Sequence, residues 1–160
     1  MAIANRLITI SPGELDAWLD RARAERWSQL AIVGPAVRLS ESVEGWPRSL
    51  KAVDRVIRVS AWVAFPTDRL RSLNVLTALV LLHLGIGAEG AKAIAASLTG
   101  LTSLDLSNNA IGAEGARAIA ASLKGLTSLD LTNNDIGAPR APRRFSTRGL
   151  RGQAVPNSAD

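Results

Sequence analysis

The chain has no cysteine and no tyrosine, and only one histidine and one methionine. Without cysteine there is neither a disulfide framework nor a thiolate metal site. A lone His83 cannot assemble a zinc site of the multi-histidine kind. It also removes the common nucleophile–base pairs, unless a lysine or a carboxylate acts as base. Long apolar runs are missing too. The longest mostly apolar stretch, residues 75–84, is half of the roughly 20 residues that a bilayer crossing needs. Leu7 to Ile10 is too short for the apolar region of a signal peptide and runs straight into Ser11-Pro12. There is no GxxxxGK[ST] phosphate loop and no nucleic-acid-binding motif. These absences predict a protein without cofactor or metal, with no nucleic-acid or membrane partner, placed in the cytoplasm, with secretion as an effector left open.

The net charge of +5 is unevenly placed. Residues 1–138 carry 14 Lys and Arg against 13 Asp and Glu, whereas residues 139–160 carry five Arg against Asp160 alone. The folded body is therefore close to neutral. The basicity belongs to a tail rich in Arg, Gly, Pro and Ser that reads as disordered. Pro139 and Pro142 bar a regular helix there.

What the chain does have is a repeat. Leu101 to Gly125 reads LTSLDLSNNAIGAEGARAIAASLKG, and Leu126 to Ala138 begins it again as LTSLDLTNNDIGA. Leu76 to Gly100 is a looser copy, and each step is 25 residues. Self-similarity at such a period marks a stacked array in which each unit buries its apolar face against its neighbours.

Local signals fill in the elements. Ser11-Pro12-Gly13-Glu14 predicts a helix start with a capping box. Leu15, Trp18, Leu19 and Ala22 then recur at helical spacing until about residues 25–27. Short apolar runs predict strands at 28–33, 55–59, 79–82, 104–107 and 129–132. One inward residue from each (Ile32, Val56, Leu81, Leu106, Leu131) lies 24, 25, 25 and 25 residues from the last. This predicts five parallel strands, one per turn, adding in chain order. Helices are predicted at 88–98 and 113–123. In the second, Ala116, Ile119, Ala120 and Leu123 face inward, and the recurrence of Gly90 as Gly115 predicts close helix packing. Trp18, Trp27, Trp46 and Trp62 all fall in the first half and are predicted to be core.

Leu101-x-x-Leu104-x-Leu106-x-x-Asn109-x-Ile111 resembles the leucine-rich repeat pattern. With IGAEGARAIAASL behind it, the unit is similar to the long, helix-containing repeats of ribonuclease-inhibitor-like proteins. Leu39 to Val43, with Trp46 and Leu50, resembles the convex segment of another bacterial leucine-rich class. Residues 12–26 followed by WSQLAIVG resemble the helical N-terminal cap of such arrays. The resemblance implies an α/β leucine-rich-repeat solenoid of about five turns, with parallel strands on the concave side and helices on the convex side. It divides the chain into a helical cap (1–27), degenerate repeats (28–75), regular repeats (76–138) and a basic tail (139–160). It implies that Asn109 and Asn134 turn inward as a structural ladder satisfying backbone groups of the bend. Leu84 stands where the preceding turn would have its Asn, so that turn is expected to find another partner.

Strand alternation places the candidate contact residues. With Leu104 and Leu106 inward, Ser103, Asp105 and Ser107 point to the concave face, and Ser128, Asp130 and Thr132 follow in the next turn. Val80 and Leu82 come before them and are read either as an exposed apolar contact patch or as residues buried by the capping segment. Asp105 and Asp130 fall about 4.8 Å apart in backbone terms. Such proximity can raise one carboxyl pKa, but an open sheet face lacks the shaped cleft of a carboxylate-pair enzyme. The implied function is a non-enzymatic protein–protein interaction module, a monomer, binding a protein partner by its concave face. The alternatives are a regulatory role like that of GTPase activators in the same repeat class, or a truncated piece of a longer array.

Overall fold

The computed structural model describes residues 7–39, 44, 46–62 and 64–137. They form one parallel six-stranded sheet with helices on both faces. The elements are β1 (Leu7–Ile10), a 3-10 turn (Pro12–Glu14), α1 (Leu15–Ala24), β2 (Gln29–Val33), α2 (Arg48–Lys51) and β3 (Val56–Val59). A second 3-10 turn (Thr67–Ser72) follows, then β4 (Ala78–Leu82), α3 (Gly87–Ser97), β5 (Ser103–Asp105), α4 (Gly112–Ser122) and β6 (Ser128–Asp130). The expected start of α1 carries its capping box, with the Ser11 N–H and Oγ–H both donating to Glu14 Oε2 at 2.7 and 2.8 Å. Those bonds hold the Glu14 carboxyl below its ordinary pKa.

The strand order is β1-β3-β2-β4-β5-β6. Strands β4, β5 and β6 add in chain order, as the repeats require, but the first half does not. Strand β2 lies between β3 and β4, and β1 is a sixth strand, paired with β3. The expected ladder of five strands in chain order is therefore not met. The register also differs: Ile32 pairs with Ile57, not Val56, and Val56 faces Ala31. A one-residue slip swaps faces, which is why spacing alone misplaced Val56.

The reversal explains the two-sided packing. A right-handed crossover puts its connection on one face for steps in one direction and on the opposite face for the reverse. Only the step from β2 to β3 runs backwards. Leu50 of α2 accordingly packs with Trp46, Val53, Val33, Val56 and Val80 in one cluster. Leu15 and Leu19 of α1, Leu70, Ile94 of α3 and Ile119 of α4 share the other, larger cluster with Leu79, Leu81, Leu104 and Leu106.

Helices α3 and α4 sit close because Gly115 allows it. A Cβ there would meet Ala91 Cβ at 3.0 Å and an Ile111 methyl closer still. Ala91 and Ala95 are buried between the helices, whereas Ala120, expected inward, is exposed because no described helix follows α4. Trp46 is core, and Trp18 and Trp27 are half-buried and in mutual contact at 6.3 Å between ring centroids. Trp62 is 64% exposed, so its expected core role is not met. It lies in the connection after β3 with no element over it. Residues 40–43 of the expected convex segment and the tail 139–160 lie outside the described residues.

Candidate functional site

The layer that packs on the second sheet face covers β3, β2 and β4 and stops there. Beyond its edge, α2 and the strands β5 and β6 enclose an open groove of about 600 Å³. Pro47, Arg48, Ser49 and Ala52 form one wall, Ser103, Asp105, Ser128 and Asp130 the floor, and His83 and Asn108 one end. Ser107 and Thr132 complete the lining from the bends after β5 and β6.

Sheet register creates the floor. Ser103 pairs with Ser128 and Asp105 with Asp130, so like residues stand side by side at strand spacing. Each aspartate is held by its own bend. Asp105 Oδ1 accepts the Ser107 N–H at 3.0 Å and the Ser107 Oγ–H at 2.6 Å. Asp130 Oδ1 accepts the Thr132 N–H at 2.9 Å and the Thr132 hydroxyl. These bonds from Thr132, side chain first and then backbone, hold Asp130 below the ordinary aspartate pKa. The carboxyl is thus not raised by its neighbour, and Asp130 stays ionised at neutral pH, unsuited to proton donation. Asp105 is only 6% exposed, whereas Asp130 and Thr132 are exposed, because β6 forms the sheet edge.

One expected contact residue lies elsewhere. Val80, 2% exposed, is buried under α2 and Trp46, whereas Leu82, 6% exposed, packs at the edge of that cluster and lines the groove. Strand alternation put them on the right face but could not show that a reverse crossover covers it at β4. Arg48 and the other α2 residues of the wall were missed for the same reason. The sequence signal was Leu50, an apolar residue already placed near Trp46.

Below the floor, Asn109 and Asn134 stitch the turns together. Asn109 Oδ1 accepts the Leu84 and Ile86 N–H groups at 2.9 and 3.4 Å, and its amide donates to the Leu81 and Leu106 carbonyls at 2.6 and 2.9 Å. Asn134 does the same one turn on, accepting from Asn109 N–H at 2.8 Å and Ile111 N–H at 3.3 Å. Leu84 is buried in the main core instead. The strand beside β4 is β2, and in its bend Pro35, which has no N–H, stands level with Leu84, while the Val37 N–H, level with Ile86, goes to the Gly34 carbonyl at 3.2 Å, so this step needs no Asn acceptor. Gly34 is required there, since a Cβ would fall 1.9 Å from the His83 carbonyl oxygen.

Residues 98–120 and 125–139 match the leucine rich repeat family model. The matched segments contain β5, most of α4 and β6, in the turns that the Asn ladder joins. Leucine-rich repeats are generally protein-interaction modules without catalytic activity. A stretch of the fatty acid synthase beta subunit stcK of Emericella nidulans is 29% identical over 99 residues. That stretch is 62% of this chain but 5% of that protein, so this chain spans a small fraction of its relative's length. No solved structure matches the chain. Among the described residues no group of three or more His, Asp or Glu is placed to hold a metal ion. No described helix is long and apolar enough to cross a membrane.

Proposed function

We propose that this chain is a non-catalytic protein-interaction module that takes a protein partner in the concave groove between α2 and β5–β6. The observation that carries the reading is the repeated floor. Ser103, Ser128, Asp130 and Thr132 stand in register on an accessible sheet face, beside an apolar cover that ends at β4. Such a surface offers hydroxyl donors and fixed carboxylate acceptors in a row, suited to a polypeptide rather than to a reacting small molecule. Asp130 is held ionised, and His83 is the one histidine, so the groove has no poised acid–base pair. A partner that places Lys or Arg over Asp105 and Asp130 fits the charge of the floor.

We read the 25-residue unit as ribonuclease-inhibitor-like because each of the two turns 76–100 and 101–125 carries a helix behind its strand. In this reading residues 1–27 are the N-terminal cap, 28–75 degenerate repeats, 76–138 the binding array and 139–160 a tail. The protein works as a cytoplasmic monomer.

The test is affinity capture from lysate with three immobilised chains. They are wild type, Ser128→Arg with Asp130→Arg on the floor, and Arg117→Glu on the helical side. A protein held by wild type and Arg117→Glu but lost from the double variant supports the groove. Retention by the double variant refutes it.

A further inference from the structure

Asp105 and Asp130 line the groove side by side, one strand spacing apart. The hydrogen bonds that fix them in their bends, from Ser107 and from Thr132, all end on Oδ1. Oδ2 of each carboxylate takes no part in its bend. No Lys, Arg or His stands within ion-pair distance of either aspartate among the described residues. Asp105 is moreover 6% exposed, and a carboxylate buried to that extent is normally matched by a cation. Across the groove, Arg48 is exposed on the α2 wall and has no carboxylate within ion-pair distance among the described residues. On the opposite sheet face the exposed charges do find each other, as in Arg21 with Glu25 and Lys92 with Glu89 and Glu114. The groove therefore presents opposite charges on floor and wall that the described chain leaves unmatched.

We infer that the groove takes an arginine-bearing polypeptide segment, in which one guanidinium bridges Asp105 and Asp130 and an acidic side chain close in sequence meets Arg48. This inference rests on the groove reading above and narrows its partner from any cationic segment to this one. The choice of arginine follows from geometry and hydration. A guanidinium spreads its N–H donors over a fixed planar fork, so it serves two acceptors on neighbouring strands at once. An ammonium is a compact, strongly hydrated point charge, and it gives up more hydration on entering beside Pro47, Ala52 and Leu82, the apolar lining of the same groove. The acidic neighbour follows from Arg48: a segment with arginine alone would leave that wall charge unmatched and repel it. The groove, about 600 Å³ in volume, brings floor and wall within reach of a few residues of one chain.

The probes are two short peptides with blocked ends, serine at every position except one Arg and one Glu, which are adjacent in the first and one residue apart in the second. Each is titrated into the isotope-labelled full chain and followed by NMR. The Ser107 and Thr132 amides report, because they donate to the two aspartates. The expected result is saturable shifts at both amides with at least one peptide. Affinity falls roughly fivefold or more when its Arg is replaced by Lys, and binding disappears with citrulline, which keeps the shape without the charge. Asp130→Asn, at the exposed sheet edge, weakens binding to the same degree without moving the melting curve at neutral pH. Arg48→Gln weakens the Glu peptide but leaves its Gln counterpart unchanged. The proposal is overturned if neither peptide saturates, if Lys or citrulline binds as well as Arg, or if the shifts fall outside the groove. It is also overturned if the full chain sediments as a dimer dispersed by Asp130→Asn, since the groove would then hold a second copy. Should the peptides fail while capture of a lysate protein still depends on Ser128 and Asp130, the arginine inference falls and the groove reading stands. If capture is also indifferent to those residues, both fall.

Discussion

Asn109→Ala tests the ladder more sharply than any leucine substitution. The side chain is 1% exposed and serves buried backbone on both sides of the turn. Its removal leaves the Leu84 and Ile86 N–H groups and the Leu81 carbonyl without the partners it provided. The Leu106 carbonyl keeps a second donor, the Asn134 amide at 2.8 Å. An orphaned buried polar group costs about 1–3 kcal/mol, so three of them amount to roughly 3–9 kcal/mol. That is a large fraction of the roughly 5–15 kcal/mol that keeps a domain folded. Asn134→Ala removes the same consensus residue, but it borders the exposed bend of Thr132, Asn133 and Asp135, where water can replace the lost bonds. Its expected cost is about 1–3 kcal/mol. Urea unfolding followed by far-UV circular dichroism measures both, provided that the m-values match wild type. A loss below about 1 kcal/mol for Asn109→Ala, or a larger loss for Asn134→Ala, would refute the reasoning.

Other substitutions probe packing and charge. Leu104→Ala should cost about 2–5 kcal/mol as a core cavity. Leu129→Ala, at the equivalent but 45% exposed position, should cost well under half of that in the same urea titration. Gly115→Ala should destabilise the chain although alanine is the better helix former by up to about 1 kcal/mol, because its Cβ would crowd Ala91 and Ile111; a raised melting temperature would refute the close packing of α3 on α4. Asp130 has a lowered folded pKa, so its contribution is present above the ordinary value of 3.8 and is lost as the pH falls through the lower folded value. Asp130→Asn should therefore flatten the stability profile below about pH 4 and leave its slope at neutral pH unchanged, as read from urea midpoints across pH.

The regular half was legible because its residues repeat. Strands β4 to β6, helices α3 and α4 and the Asn positions all follow from the 25-residue step. The first half was not, because period and pitch do not encode strand order. Ile32 and Ile57 pair as neighbours although the chain passes from one to the other through a backward crossover. The cover over Val80 and Leu82 follows from that crossover and not from either residue's own pattern. The sequence does carry the trace of it. The second face is apolar at Ala31, Val33, Val56, Val80 and Leu82, where the α2 layer lies, and turns polar at Asp105, Ser107 and Asp130, where the layer ends.

The most direct test of the groove is a footprint. Amide exchange should be compared between the chain alone and the chain saturated with the protein recovered by affinity capture. The groove account predicts slowed exchange at 103–108, 128–133 and the α2 wall around Arg48, with the α3 and α4 helices unchanged. Protection confined to residues 87–97 and 112–122 would contradict it, because the partner would then sit on the helical side.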